Sequence, residues 1–220
     1  PISVVMAYAQ KGIAKSFDQR APEISQYFEK ILKSTETQIE IIDHIKAMRA
    51  VQDGKFSLKL AKVRLLDVLQ QCEITFEQNL QTKNLKLVYD RQSLENLDVM
   101  AEASSLSHNV INNLVSNAIK FSHPGSSIEI IVTPEEDRVS LTVADHGVGI
   151  PKDVIANIFR ADKPTSRVGT MGERGTGYGM PLVHSYVQKF GGDISIDSVT
   201  EAESPERHGT RVTVSLKKAA

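Results

Sequence analysis

Apolar residues at the start of this chain recur at helical spacing. Ile2, Val5, Met6, Ala9 and Ile13 fall on one helix face. Polar residues from Ser16 to Arg20 break that stripe, and Pro22 suits the first turn of a second helix. In that helix Ile24, Phe28, Ile31, Ile42 and Ile45 share one heptad frame, with Thr35 and Gln38 in the same seam. Two such helices make a hairpin whose seam is too exposed for a monomer, and a four-helix dimer buries it. The other reading is a hairpin folded back on the rest of the chain.

Further on, strand-length apolar runs mix with helix-length stripes, which predicts an α/β sandwich. Strands are expected near 58–61, 85–89, 128–133, 139–144, 193–198 and 210–216. Helices are expected near 65–82, 104–121, 151–158 and 180–190, the last ended by Gly191 and Gly192. Asp53 and Gly54 suit a turn at the boundary, giving domains 1–53 and 54–220.

Three segments carry candidate chemistry. In the helix near 104–121, Ile111, Leu114, Val115, Ala118 and Ile119 form an apolar stripe. Asn109, Asn113, Asn117 and Lys120 fall on the other side. Asn is a mediocre helix former, so this face is either an ordinary wet surface or a site. An amide oxygen is a hard ligand suited to Mg²⁺, and a lysine offers a point charge to phosphate. The strand ending at Asp145 runs into a turn containing Gly147 and Gly149, before Pro151. That carboxylate either caps a turn or accepts a hydrogen bond from a base amino group. Gly175, Gly177 and Gly179 then precede the stripe Met180, Leu182, Val183 and Val187. Such a loop is either a common turn or a phosphate cradle at a helix N-terminus.

Together and in this order, the segments resemble the N, G1 and G2 boxes of the Bergerat (GHKL) ATP-binding fold, in its sensor histidine kinase form. Asn113-x-x-x-Asn117-Ala118-x-Lys120-Phe121 resembles the N box, Asp145-x-Gly147-x-Gly149 the G1 box and Gly175-x-Gly177-x-Gly179 the G2 box. No P-loop sequence occurs. The resemblance implies ATP and Mg²⁺ as cofactors, with Asp145 reading the adenine amino group. It implies Asn117 and Asn113 on the metal, Lys120 and the Gly175–Gly179 amides on phosphate, Phe121 against the base or ribose, and Thr210 on the adenine side. Residues 160–177 become a polar ATP lid that buries too little to be rigid without ligand. Phe159 matches the first of two aromatics usual before the lid, whereas Ala161, Asp162 and Lys163 stand where the second belongs.

The N-terminal segment is similar to the dimerisation and phosphotransfer domain of these kinases, just past the phosphorylatable histidine. The resemblance therefore implies a homodimer through residues 1–53 and a phosphoacceptor histidine upstream of Pro1. It implies phosphoryl transfer from ATP to that histidine, then to a response-regulator receiver aspartate. His44 lies in the second helix and reads as a surface or seam residue. The alternatives are another GHKL ATPase or protein kinase, and a catalytically inactive ATP-binding scaffold.

Composition narrows the class further. At 220 residues and 40% hydrophobic content the chain can build a core. A formal net charge of −1 gives no electrostatic case for nucleic acid or an anionic membrane. The single cysteine, Cys72, excludes an intrachain disulfide framework and reads as a small buried hydrophobe. No apolar run of membrane-spanning length and no signal peptide is seen, which points to the cytoplasm. The start at Pro1, in mid-pattern, reads as a piece of something larger, possessing a membrane anchor or not.

Overall fold

Two helices open the chain: α1 (Ile2–Ser16) and α2 (Pro22–Gln52). The computed structural model describes residues 2–16, 22–52, 58–163, 165–173 and 175–219. The chain divides into two compact units, Pro1–Ala47 and Met48–Ala220. The proposed boundary turn at Asp53 and Gly54 lies outside the described residues.

In the first unit, α2 begins at the proline, whose missing N–H costs nothing in a first turn. Gly12 of α1 is pressed against the ring of Phe28, where any Cβ would collide. Ala9 and Thr35 are buried, and the Thr35 hydroxyl donates to Ile31 O at 2.7 Å. Val4, Val5, Tyr8, Tyr27, Ile31, Ile42 and Ile45 remain exposed. The side chains of Ile24 and His44 lie outside the described residues.

The second unit is built on a five-stranded mixed sheet in the order β2-β4-β5-β7-β6. These strands are β2 (Lys86–Val88), β4 (Ser127–Pro134), β5 (Arg138–Asp145), β6 (Asp193–Val199) and β7 (Gly209–Lys217). β2 runs parallel to β4, and every other pairing in this sheet is antiparallel. A separate antiparallel pair joins β1 (Ala61–Arg64) to β3 (Asp98–Ala101), with Val63 opposite Val99. Helices α3 (Leu65–Thr82), α5 (Asn112–Phe121) and α7 (Gly179–Lys189) provide the second layer.

The pleat explains the core. β5 sends Val139, Leu141 and Val143 to one face, and all three are buried. They pack against α5, which contributes Leu114, Val115 and Ala118, and α5 packs in turn on α7, whose Leu182, Val183 and Val187 are buried. Cys72 is fully buried, and burial followed by the charge of Glu73 pushes its thiol up to about 12. Among the described residues no helix is long and apolar enough to cross a membrane.

Several boundaries differ from the sequence reading. The first strand lies at Ala61–Arg64 rather than 58–61, because its one buried residue is Val63. β3 was not expected at all. The helix expected over 104–121 is three pieces: α4 (Ala103–Ser105), a π-helical segment (Leu106–Ile111) and α5. The wider π turn keeps Leu106, Ser107, Val110 and Ile111 all facing inward. The helix expected at 151–158 is a single regular turn, α6 (Lys152–Ile155), and further turns carry the chain to Ile158.

Leu141 sits fully buried on the central strand. Leu141→Ala is expected to lower unfolding free energy by about 2–5 kcal/mol through lost transfer energy and a residual cavity. Urea denaturation should show a lower midpoint at unchanged slope. A loss under about 1 kcal/mol would mean the α5–β5 layer is not packed as described.

Candidate functional site

A helix leaves its last carbonyls without intrahelical partners. At the end of α5 three segments distant in sequence supply those partners. Ile119 O and Lys120 O accept from Lys83 Nζ at 2.7 and 2.8 Å. Lys120 O also accepts from Thr170 N at 3.1 Å, and Phe121 O accepts from Val148 N at 3.2 Å. The Thr170 hydroxyl donates to Ser122 O at 2.7 Å. Gly147 is bridged to Ser122, and a Cβ on it would collide with the Phe121 carbonyl. The glycine there is a matter of close approach.

Asp145 closes β5 beside this junction. Its Oδ1 accepts from Gly147 N at 2.9 Å and from Thr210 N at 3.2 Å. Burial pushes the carboxyl up to about 6, against the lowering pull of those two amides and of His146 and His208 nearby. Thr210 is buried, with Oγ1 2.9 Å from Ser198 Oγ. Ser198 Oγ already donates to Gly209 O, so the Thr210 hydroxyl is the donor in that pair. Ser198 Oγ accepts in turn from Ile150 N at 2.8 Å, which ties the G1-like turn to β6. Gly149 has φ +69° and packs where a Cβ would strike the Val199 carbonyl. His208 Nδ1 donates to Gly147 O at 2.6 Å.

On the other side of α5 lies the glycine loop. A Cβ added to Gly179 would come 2.8 Å from Asn113 Oδ1, and one added to Gly175 would come 2.7 Å from Lys120 Nζ. The Asn113 amide nitrogen donates to Asn109 O at 3.0 Å, which leaves its oxygen facing the start of α7. Asn117 is half-buried one turn further along α5. Gly177 has φ +79°, a conformation that L side chains rarely adopt. Lys120 Nζ stands 4.7 Å from the Phe121 ring centroid, and the Arg167 guanidinium 5.6 Å from it. Arg167 also donates to Gly149 O at 2.7 Å, so this residue reaches across to the G1-like turn.

The sequence-selected residues therefore gather around α5. Asn113 and Lys120 meet Gly179 and Gly175, Phe121 meets Gly147, and Asp145 meets Gly147 and Thr210. At the lid entry Phe159 stacks on His184 at 5.0 Å, and Arg160 forms a two-pronged pair with Asp162. Residues 169–173 are tied down by several hydrogen bonds, more than the polar sequence suggested. Pro164 and Arg174 lie outside the described residues. Sequence reasoning missed Lys83, Thr170, Glu173, Ser198 and His208, none of which stands in a motif.

A mixed sheet faced by helices, with a strand-end carboxylate and a glycine loop meeting on one asparagine-bearing helix, defines a Bergerat-type ATPase domain. The model of the histidine kinase-, DNA gyrase B- and HSP90-like ATPases matches residues 102–220, and the chain belongs to that family. Its curated relatives include the circadian input-output histidine kinase CikA of Synechococcus elongatus, 26% identical over 198 residues, covering 90% of this chain and 26% of that protein. The histidine protein kinase DivJ of Caulobacter vibrioides is 27% identical over 220 residues, covering 99% of this chain and 34% of DivJ. The chain thus spans a fraction of each relative's length. Among solved structures, full-length ShkA in complex with AMPPNP matches at TM-score 0.71 and 18% identity, over 100% of this chain and 44% of that one. The Acinetobacter baumannii histidine kinase AdeS matches at TM-score 0.65 and 15% identity, over 100% and 96%. These structural likenesses speak to the fold.

The Asp145 carboxyl carries a stability cost. Its folded pKa, about 6, lies above its ordinary 3.8, so between those values the folded state holds a proton that the unfolded state has lost. Stability falls as pH rises through that window, and the penalty is complete above it. Asp145→Asn is expected to raise unfolding free energy by about 1–3 kcal/mol at neutral pH. The gain should nearly vanish by about pH 3, below both pKa values, where both states are largely protonated. Denaturant melts at the two pH values check this, and destabilisation at neutral pH would contradict it.

Proposed function

We propose that this chain is the ATP-binding catalytic core of a sensor histidine kinase of a two-component system, acting in the cytoplasm. It binds Mg-ATP and directs the γ-phosphoryl group to a histidine upstream of residue 1, from which a response-regulator receiver aspartate takes it. Residues 54–220 are the catalytic domain. Residues 1–53 are the dimerisation and phosphotransfer hairpin, two copies of which pair as a four-helix bundle. The exposed apolar residues of α1 and α2, Ile31 and Ile42 among them, support that pairing.

One observation carries the reading. A carboxylate beside the Phe121–Gly147 contact and a glycine loop facing Lys120 and Asn113 flank one helix, which suits a molecule with a base at one end and phosphates at the other. Asp145 accepts the adenine amino group, with Gly147, Gly149 and Thr210 shaping the base slot. Phe121 flanks the base or ribose. The Asn113 amide oxygen has its nitrogen already committed to the backbone, and with Asn117 it fits a hard cation. When bound, Mg²⁺ neutralises phosphate charge. Lys120 and the Gly175, Gly177 and Gly179 backbone hold the phosphates.

In the transfer, the unprotonated nitrogen of a neutral histidine forms a bond to Pγ, the Pγ–O bond to ADP breaks with its electron pair leaving on ADP, and the other ring nitrogen releases its proton to solvent water. Positioning and charge neutralisation are what this chain contributes.

Two measurements test this function. Asn117→Ala is expected to abolish the Mg²⁺ dependence of ATP binding in calorimetry, whereas Asn109→Ala, on the same face but outside the motif, leaves it intact. Identical behaviour of the two variants contradicts the metal assignment. Extending the chain by its native upstream helical turn should permit labelling from γ-labelled ATP, in an acid-labile, base-stable product. Acid-stable labelling of the 220-residue chain itself points instead to a Ser/Thr-directed kinase of the same ATPase family.

A further inference from the structure

Lys83 is 3% exposed, far from every motif in sequence, and fully used. Its ammonium donates to Ile119 O, Lys120 O and Glu173 Oε1 at 2.7, 2.8 and 2.7 Å. A buried cation is tolerated when it is paired and hydrogen-bonded. Here the partners are a helix C-terminus, whose dipole favours positive charge, and one carboxylate.

Glu173 stands two residues before the first glycine of the loop. Its other oxygen accepts from Met171 N at 2.8 Å. Its carbonyl accepts from Gly169 N at 2.8 Å, and Gly172 N donates to Gly169 O at 3.0 Å. Burial pushes the Glu173 carboxyl up, but the Lys83 bond and the backbone amides outweigh it and hold it below its ordinary range. Residues 169–173 therefore form a closed turn with one ionised anchor.

That turn lies on Lys120. A Cβ added to Gly169 would come 2.7 Å from both Lys120 Cγ and Lys120 O. Lys120 is confined between the turn on one side and Gly175 on the other.

We propose that Lys83 and Glu173 form a latch that seats the root of the glycine loop on the end of α5, and so positions Lys120 and the loop for the phosphates of the nucleotide. This rests on the ATP reading given above. Both are positioning residues. Lys83 has a second effect: it neutralises a carboxylate that otherwise repels polyphosphate close to the loop.

The test uses the 220-residue chain. In hydrogen exchange without nucleotide, Glu173→Gln should speed exchange of the amides of residues 169–172 by about tenfold or more, with residues 114–119 unchanged. In calorimetry it should weaken ADP by about fivefold or more and leave adenosine unchanged. Lys83→Met should weaken ADP further, and the double variant Lys83→Met, Glu173→Gln should recover part of that loss, because the unpaired carboxylate is gone. Glu173 is 35% exposed, so its variant keeps the test valid where a Lys83 variant does not fold. Unchanged exchange in Glu173→Gln overturns the latch. Equal weakening of ADP and adenosine, or weakening of neither, overturns its role at the phosphate end. An unmodified chain that binds neither ligand overturns the ATP reading, while the exchange result still judges the latch.

Discussion

The carbonyls at the C-terminal end of α5 organise this molecule. A helix end buried without partners is costly, and four consecutive residues here, 119–122, offer acceptors that the helix cannot satisfy. Lys83 takes two, the G1-like turn takes one through Val148, and the 169–173 turn takes the fourth, Ser122 O, through the Thr170 hydroxyl while Thr170 N adds a second donor to Lys120 O. Segments from three distant parts of the chain are thus brought to one point by an ordinary backbone requirement. The same helix carries Asn113, Asn117 and Lys120 on its flank. Satisfying its end and assembling the site are one event.

Two charged groups at this junction are buried in different circumstances. Asp145 is an acid held at a strand end where burial opposes ionisation, and its two amide donors compensate only in part. An amide would accept the same two backbone bonds without that cost, and the proposed function gives the carboxylate a ligand to bind. Lys83 is more deeply buried but fully satisfied, so it ties three segments together and leaves no free valence for a ligand. Under the proposed function Asp145 is a binding group, whereas the three donors of Lys83 are all taken within the fold.

How legible this was in the sequence depended on range. Helix α3 was read at both ends, 65–82, because its apolar period is unbroken. The long strands β4 to β7 were placed within a residue or two because each has regular alternation. β3 was invisible: it is four residues long, buries only Val99 and Ala101, and is stabilised by pairing with β1 far back in the chain. The π segment was unreadable because its wider turn mimics a continuous stripe. In the site, the glycines and asparagines stood out as residues that helices and turns use only for cause. Lys83 did not. It follows α3 directly, just before Asn84 with φ +51°, and so reads as an ordinary solvated helix end. Its partners lie 36, 37 and 90 residues away, and no local pattern reports them.

The central claim is that three separate motifs, joined at the end of α5, make a single nucleotide site. The most direct test is a titration of the isotopically labelled chain with a non-hydrolysable Mg-ATP analogue, followed amide by amide in NMR spectra. The account predicts that the amides of residues 113–121, Gly147, Thr210 and residues 175–179 shift together along one binding curve. Shifts confined to one of these segments, or separate curves with different dissociation constants, would contradict it.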